Sequence, residues 1–208
     1  MITMKTLAKF GAFACLFALS VGTASANPIR LPDTLAEQPP ASGPEGLVQV
    51  SAAEQAFAAY ITGYSYWDNT PPGSAAIARP VIHQKAGGKG TYRDPITIAV
   101  GYRLVGGKAK LDFPAGTRFY LPHLQRYAIV EDICGDGPQP HLTGCARGKN
   151  GMPWLDIYVD GSRVGASAAD ACMYRLTGFH DIIMNPRDGY PVQAGPIAES
   201  GCGTSPSR

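Results

Sequence analysis

What this sequence lacks is as informative as what it holds. It has no excess of either charge: 18 Lys and Arg stand against 16 Asp and Glu, and two of the cations, Lys5 and Lys9, lie in the first 26 residues. Without a basic stripe there is no electrostatic footprint for nucleic acid or for an anionic membrane, so neither is expected as a partner. Beyond residue 26 no apolar run is long enough to span a bilayer. No G-x-S-x-G nucleophile elbow occurs, and the glycine-rich stretch 87–95 is followed by no GKS/T, which argues against serine-hydrolase and phosphate-loop chemistry. The four histidines, His83, His123, His141 and His180, show no ligand spacing. Neither a metal nor a cofactor is therefore expected.

The chain is instead rich in turn formers, with 25 Gly and 18 Pro among 208 residues. That density points to many short elements and to an all-β domain with one or two short helices. Residues 1–26 read as a secretory signal peptide: Lys5 and Lys9, an apolar stretch from Phe10 to Val21, then Ala24-Ser25-Ala26 before Asn27. Export leaves four cysteines, Cys134, Cys145, Cys172 and Cys202. An even count in an oxidising compartment predicts two disulfides. Three pairings are possible, and the nearest-neighbour one is preferred because each bridge then staples a Gly/Pro-rich excursion. Zinc at Cys134 and Cys145 would find only His141 between them, too few ligands for a site.

Residues 27–46 are Pro-, Ala- and Glu-rich without periodicity and read as a flexible arm. Residues 47–60 carry Ser51 and Glu54 at capping-box spacing before an Ala-rich run, which predicts a short helix. From Ile61 to Met184 short apolar runs alternate with Gly/Pro punctuation. Ile96–Val100, Arg118–Leu121, Tyr127–Val130, Leu155–Val159 and His180–Met184 each read as a strand. Ala168–Leu176 is ambiguous, and residues 185–208 read as a surface tail tied back by Cys202. In the segment I-T-G-Y-S-Y-W-D, alternation along an extended strand would put Tyr64, Tyr66 and Asp68 on one face and Ser65 and Trp67 on the other. Such aromatics either stack on a sugar ring or fill a core, and both readings stand.

Two aspartates fall at strand boundaries, Asp132 after Y-A-I-V-E and Asp156 within W-L-D-I-Y. Together with D-P-I-T from Asp94 and F-P-A-G-T-R-F-Y-L-P from Phe113, these stretches resemble, in order, the three-aspartate (3D) domain. That domain belongs to the double-psi β-barrel group of MltA-type lytic transglycosylases, RlpA-like proteins, expansins and barwin-like proteins. The resemblance covers about residues 61–159 and implies a six-stranded double-psi β-barrel over residues 61–184. It implies peptidoglycan or a related cell-wall polysaccharide as partner, with Asp94, Asp132 and Asp156 as the matching positions. Asp156 matches the aspartate that acts as acid and then base in the lytic transglycosylases, and Asp132 is its expected companion. The Y-W-D triplet also resembles the first strand of family 45 endoglucanases, whose cysteine-rich continuation is missing here. No substrate carries over from that likeness; on the sugar-stacking reading of the segment itself, Tyr64, Tyr66, Trp67 and Asp68 are the candidate sugar-binding residues.

Two carboxylates near a glycosidic bond can protonate the leaving oxygen and stabilise the cationic centre. The expectation is an exported monomer, periplasmic or extracellular, that cleaves cell-wall glycan by aspartate acid/base chemistry. The alternative is an expansin-like or RlpA-like protein that binds polysaccharide without turnover.

Overall fold

The computed structural model describes residues 52–135 and 137–202. The expected leader and arm, Ser51 and the last residues of the tail lie outside them. Eight strands form: β1 (Gln55–Tyr64), β2 (Ile96–Val100), β3 (Tyr102–Val105), β4 (Lys108–Leu111), β5 (Arg118–Leu121), β6 (Arg126–Ile133), β7 (Trp154–Tyr158) and β8 (Gly178–Met184). Two helices follow the seventh and eighth strands, α1 (Ala166–Leu176) and α2 (Ile197–Ser200).

Six strands close into a barrel in the order β1-β7-β2-β6-β5-β8. Two neighbouring pairs, β1/β7 and β2/β6, run parallel, and the other contacts are antiparallel. Closure leaves none of these six with an open edge. The domain is therefore all-β, a closed six-stranded barrel, which is the expected fold class; five of its strands fall on the short apolar runs and the sixth, β1, does not. The interior is filled by Ile61, Ile98, Val100, Phe119, Leu121, Val130, Leu155, Ile157 and Ile182, all fully buried. Each such side chain contributes about 1.5–3 kcal/mol of transfer free energy.

The segment expected to be helical is corrected by the structure. Residues 55–64 form β1, the longest strand of the barrel, hydrogen-bonded along both edges to β7 and β8. Its alanines favour a helix only weakly against two sheet neighbours, β8 along residues 55–61 and β7 along residues 60–64. Ala59 and Ile61 are buried in alternation with the half-buried Tyr60 and Thr62, the period of a strand. The extended run expected through Asp68 is also corrected, because β1 ends at Tyr64 and residues 66–68 turn. Asp68 Oδ1 accepts from the Ser65 backbone N–H at 2.7 Å and from Ser65 Oγ at 2.8 Å, which closes the turn and breaks the alternation.

Disulfides join Cys134 to Cys145 and Cys172 to Cys202. The first staples the loop after β6, and the second ties α1 to the tail just beyond α2. Between β2 and β5, the hairpin β3/β4 turns at Gly106-Gly107, both at positive φ. Gly90, also at positive φ, packs against the buried stem of Arg126, where any Cβ would collide with that side chain. Among the described residues no helix is long and apolar enough to cross a membrane.

Candidate functional site

The site is built on a single row of residues across four strands. Ala99 on β2 lies in register with Asp132 on β6 to one side and with Asp156 on β7 to the other. Asp156 in turn lies in register with Thr62 on β1. At a strand spacing near 4.8 Å, the two aspartate Cα atoms stand roughly 10 Å apart, with only an alanine methyl between them. Strand alternation sends Leu155, Ile157, Ile98 and Val100 into the barrel and leaves Asp156 and Ala99 on the opposite face.

Asp132 reaches this row through a break in register. Between Ile98 and Ala99 the pairing skips Glu131: Ile98 faces Val130, and Ala99 faces Asp132. A bulge of this kind bends the strand and re-aims a side chain. Glu131 and Asp132, adjacent in sequence, consequently serve different parts of the molecule.

A groove of about 360 Å³ lies over the row, lined by Tyr64, Asp68, Asn69, Ile77, Asp132 and Asp156 among others. Asp132 is nearly buried and fully engaged. Its Oδ1 accepts from the backbone N–H groups of Ala78 (3.0 Å) and Ile133 (2.9 Å), and its Oδ2 accepts from the Tyr64 hydroxyl (3.0 Å). Burial nevertheless raises its carboxyl above the usual aspartate range, because the loss of water outweighs these donors. Burial, then the charge and hydrogen bond of Asp132, push the Tyr64 phenol well above its ordinary value. Asp156 is less buried, and its Oδ1 accepts from Thr62 Oγ1 at 2.7 Å. The Trp154 indole N–H donates to that same Thr62 oxygen at 2.7 Å. A short chain of hydrogen bonds therefore orients the Asp156 carboxyl from behind.

The structure brings together four of the residues predicted from sequence: Asp132, Asp156, Tyr64 and Asp68 all line the groove. Tyr64 is wall rather than platform, with its ring on Tyr158 at 5.2 Å and its hydroxyl on Asp132. Tyr66 and Trp67 stand outside the groove lining, edge to face at 5.4 Å, with the Trp67 indole N–H on the carbonyl of Gly161. Asp94 is not brought to the groove either. Its Oδ1 lies 3.0 Å from His83 Nε2, while His83 Nδ1 lies 2.7 Å from Glu131 Oε2. This carboxylate–imidazole–carboxylate arrangement fastens the loop 81–83, and the turn before Pro95 holds Asp94 in it.

Sequence reasoning missed Thr62, Trp154, Ala99 and the Asn69-Thr70 rim. Thr62 and Trp154 carry no motif of their own. Their only signal is the alternation that places them beside Asp156 once β1 is recognised as a strand. Among the described residues no group of three or more His, Cys, Asp or Glu side chains is arranged to hold a metal ion.

Comparison with known proteins adds relatives and no chemistry. The family model described as DDB_G0273701 N-terminal domain matches residues 56–204. A Dictyostelium discoideum protein, named Uncharacterized protein DDB_G0273701/DDB_G0273221, is 28% identical over 142 residues, which cover 68% of this chain and 56% of the relative. The chain thus spans about half the length of the curated relative it matches. No solved structure matches it.

Proposed function

The chain belongs to the DDB_G0273701 N-terminal domain family, and from the geometry of its groove we propose that it is an exported, cell-wall glycan-active protein that cleaves glycosidic bonds through Asp156, with Asp132 as electrostatic support. The observation that carries this reading is the row Thr62–Asp156–Ala99–Asp132, which sets two carboxylates in different environments on the floor of one groove. Two parallel strand pairs in an otherwise antiparallel six-stranded barrel support the double-psi assignment. Two disulfides support an oxidising, exported setting.

In the proposed reaction Asp156 gives its proton to the leaving glycosidic oxygen as the bond to the anomeric carbon breaks. The sugar's own hydroxyl then closes on that carbon and returns its proton to Asp156. Thr62 keeps the carboxyl oriented throughout. Asp132, immobilised by three donors, supplies charge to the cationic centre and does not exchange protons. Its saturation also favours a second reading, in which the groove binds polysaccharide and only one carboxyl is reachable.

The test is incubation of the mature protein with peptidoglycan and with plant and fungal glycans, with soluble products analysed by mass. Asp156→Asn keeps an oxygen acceptor for Thr62 but removes the transferable proton. It is expected to lower turnover by about 10²–10⁴-fold while leaving folding and binding in place. Asp132→Asn should lower the rate less. Unchanged turnover in Asp156→Asn would overturn the catalytic assignment. Glycan binding without product from wild type would establish the second reading.

A further inference from the structure

A second row of side chains runs beside the carboxylate row on the same face of the barrel. Phe179 on β8, Tyr60 on β1 and Trp154 on β7 are in register across three adjacent strands. Their rings touch in sequence, Phe179 to Tyr60 at 5.0 Å and Tyr60 to Trp154 at 5.1 Å. Trp154 precedes Asp156 by two residues, so the aromatic row lies roughly 7 Å along the strands from the carboxylate row. Phe179, near the start of β8, is 45% exposed, although a phenylalanine paired within a sheet would ordinarily be covered.

Two cations border this row. Lys149 Nζ sits 5.7 Å from the Tyr60 ring centre. Its position is set by a two-residue reversal: Lys149 and Met152 exchange both backbone hydrogen bonds around Asn150-Gly151, each at positive φ. That is the Asn-Gly geometry of a tight hairpin turn, a rigid mount for an otherwise long side chain. Arg147 joins Lys149, Asn150 and Trp154 around one open cavity of about 440 Å³. Among the described residues neither Arg147 nor Lys149 has an ion-pair partner. Aromatic faces suit the apolar faces of sugar rings, and unpartnered cations at their edge suit a carboxylate.

We propose that Phe179, Tyr60 and Trp154, bordered by Lys149 and Arg147, form a distal subsite that takes a carboxylate-bearing sugar of the glycan whose reacting linkage lies at Asp156. This rests on the glycan-active reading of the groove and names the chemistry of its substrate: an acidic polysaccharide rather than a neutral one. Trp154 serves both places, since it lines the subsite cavity while its indole N–H reaches Asp156 through Thr62. Sugar bound there is therefore felt at the reacting carboxyl.

The chain has two tryptophans, so Trp67→Phe leaves Trp154 as the only indole reporter. In that background, fluorescence titrations would use an oligogalacturonate, peptidoglycan glycan strands freed of peptide, and a neutral cello-oligosaccharide of matched length. The acidic ligands are expected to perturb Trp154 and to bind at least about tenfold more tightly than the neutral one. Lys149→Gln with Arg147→Gln should abolish that preference, and Phe179→Ala should weaken every ligand. Both changes are at exposed positions, and circular dichroism would confirm that the variants fold. If acidic and neutral ligands bind alike, or the charge variants change nothing while Asp156→Asn still stops turnover, the subsite is overturned and the groove reading stands. If wild type binds and cleaves no glycan of either kind, both fall.

Discussion

Glu131 and Asp132 are neighbours in sequence, carry the same functional group and end in opposite circumstances. Glu131 is wholly buried, and its Oε1 accepts from three successive backbone N–H groups, Val81 (3.2 Å), Ile82 (2.7 Å) and His83 (2.8 Å). Its Oε2 meets His83 Nδ1 at 2.7 Å and Thr97 Oγ1 at 3.3 Å. Burial pushes this carboxyl upward, but the donors outweigh burial and its pKa falls below the ordinary value of 4.5. Asp132 has fewer donors and faces the groove, and there burial wins. One extra residue in β6 decides which carboxylate becomes a structural anchor and which a groove residue. The two are nonetheless linked, because the loop that Glu131 pins also sends the Ala78 N–H to Asp132.

The largest effect that would sharpen this contrast is on stability. Glu131→Ala leaves three backbone N–H groups and His83 Nδ1 without the wholly buried carboxylate that pairs with them. It should cost about 3–5 kcal/mol in chemical denaturation, as expected when one partner of a buried charged network is removed. Glu131→Gln keeps one carbonyl oxygen for the backbone donors and should recover part of the loss. Asp132→Asn should cost clearly less than Glu131→Ala, since it removes a buried charge along with its acceptor strength. Equal losses in Glu131→Ala and Asp132→Asn would erase the distinction between anchor and groove residue.

The same contrast explains what could be read before the structure. Asp132 is legible because it follows a short apolar run near the end of β6, and Asp156 because it interrupts the apolar run of β7, although it lies at the centre of that strand and not at the boundary expected; the two converge once those runs pair. The strands β2, β5, β6, β7 and β8 were legible for the same reason. The role of Glu131 was not, although a glutamate after Y-A-I-V is a carboxylate inside a strand pattern, which demands buried partners. Those partners lie 48–50 residues earlier, in a loop whose sequence shows no periodicity. Asp94 resembled a site residue and is instead the outer member of the His83 clamp, 38% exposed. β1 is not legible because its alanines and the Ser51/Glu54 spacing are local signals, whereas its strand state comes from β7 and β8, which lie far later in the chain. The G-G turn of the β3/β4 hairpin is legible as Gly106-Gly107 between two short runs.

A smaller effect should fall on the groove side alone. The Cys134–Cys145 bridge joins cysteines 11 positions apart, starting two residues after Asp132, and Cys134 borders the groove. Replacing both cysteines by serine should cost about 2–3 kcal/mol from the restored freedom of the unfolded loop. Amide exchange should rise near residues 134–145 and along the groove rim, while the amides of Val81, Ile82 and His83 stay protected by Glu131. Loss of protection at those three amides would mean that the two sides are one cooperative unit.

The smallest expected effect is a pH dependence belonging to the anchor side. Burial disfavours the charged imidazole of His83, but hydrogen bonds to Glu131 and Asp94, and their charges, outweigh it and raise its pKa above the ordinary 6.5. A histidine raised in the folded state contributes stability that is fully present below pH 6.5 and is lost as the pH climbs through its higher folded value. Glu131 is depressed, so its contribution is present above pH 4.5 and is lost as the pH falls through its lower folded value. The clamp is therefore complete between about pH 4.5 and 6.5 and weakens on both sides. Asp132, with its raised pKa, works in the opposite sense on the acid side, but it is common to wild type and a His83→Asn variant and cancels between them. Urea midpoints measured from pH 3 to 9 should give a difference between these two proteins that peaks inside that window. A difference that does not vary with pH would mean that His83 acts through shape alone, and that Glu131 is held by its backbone donors without help from the imidazole.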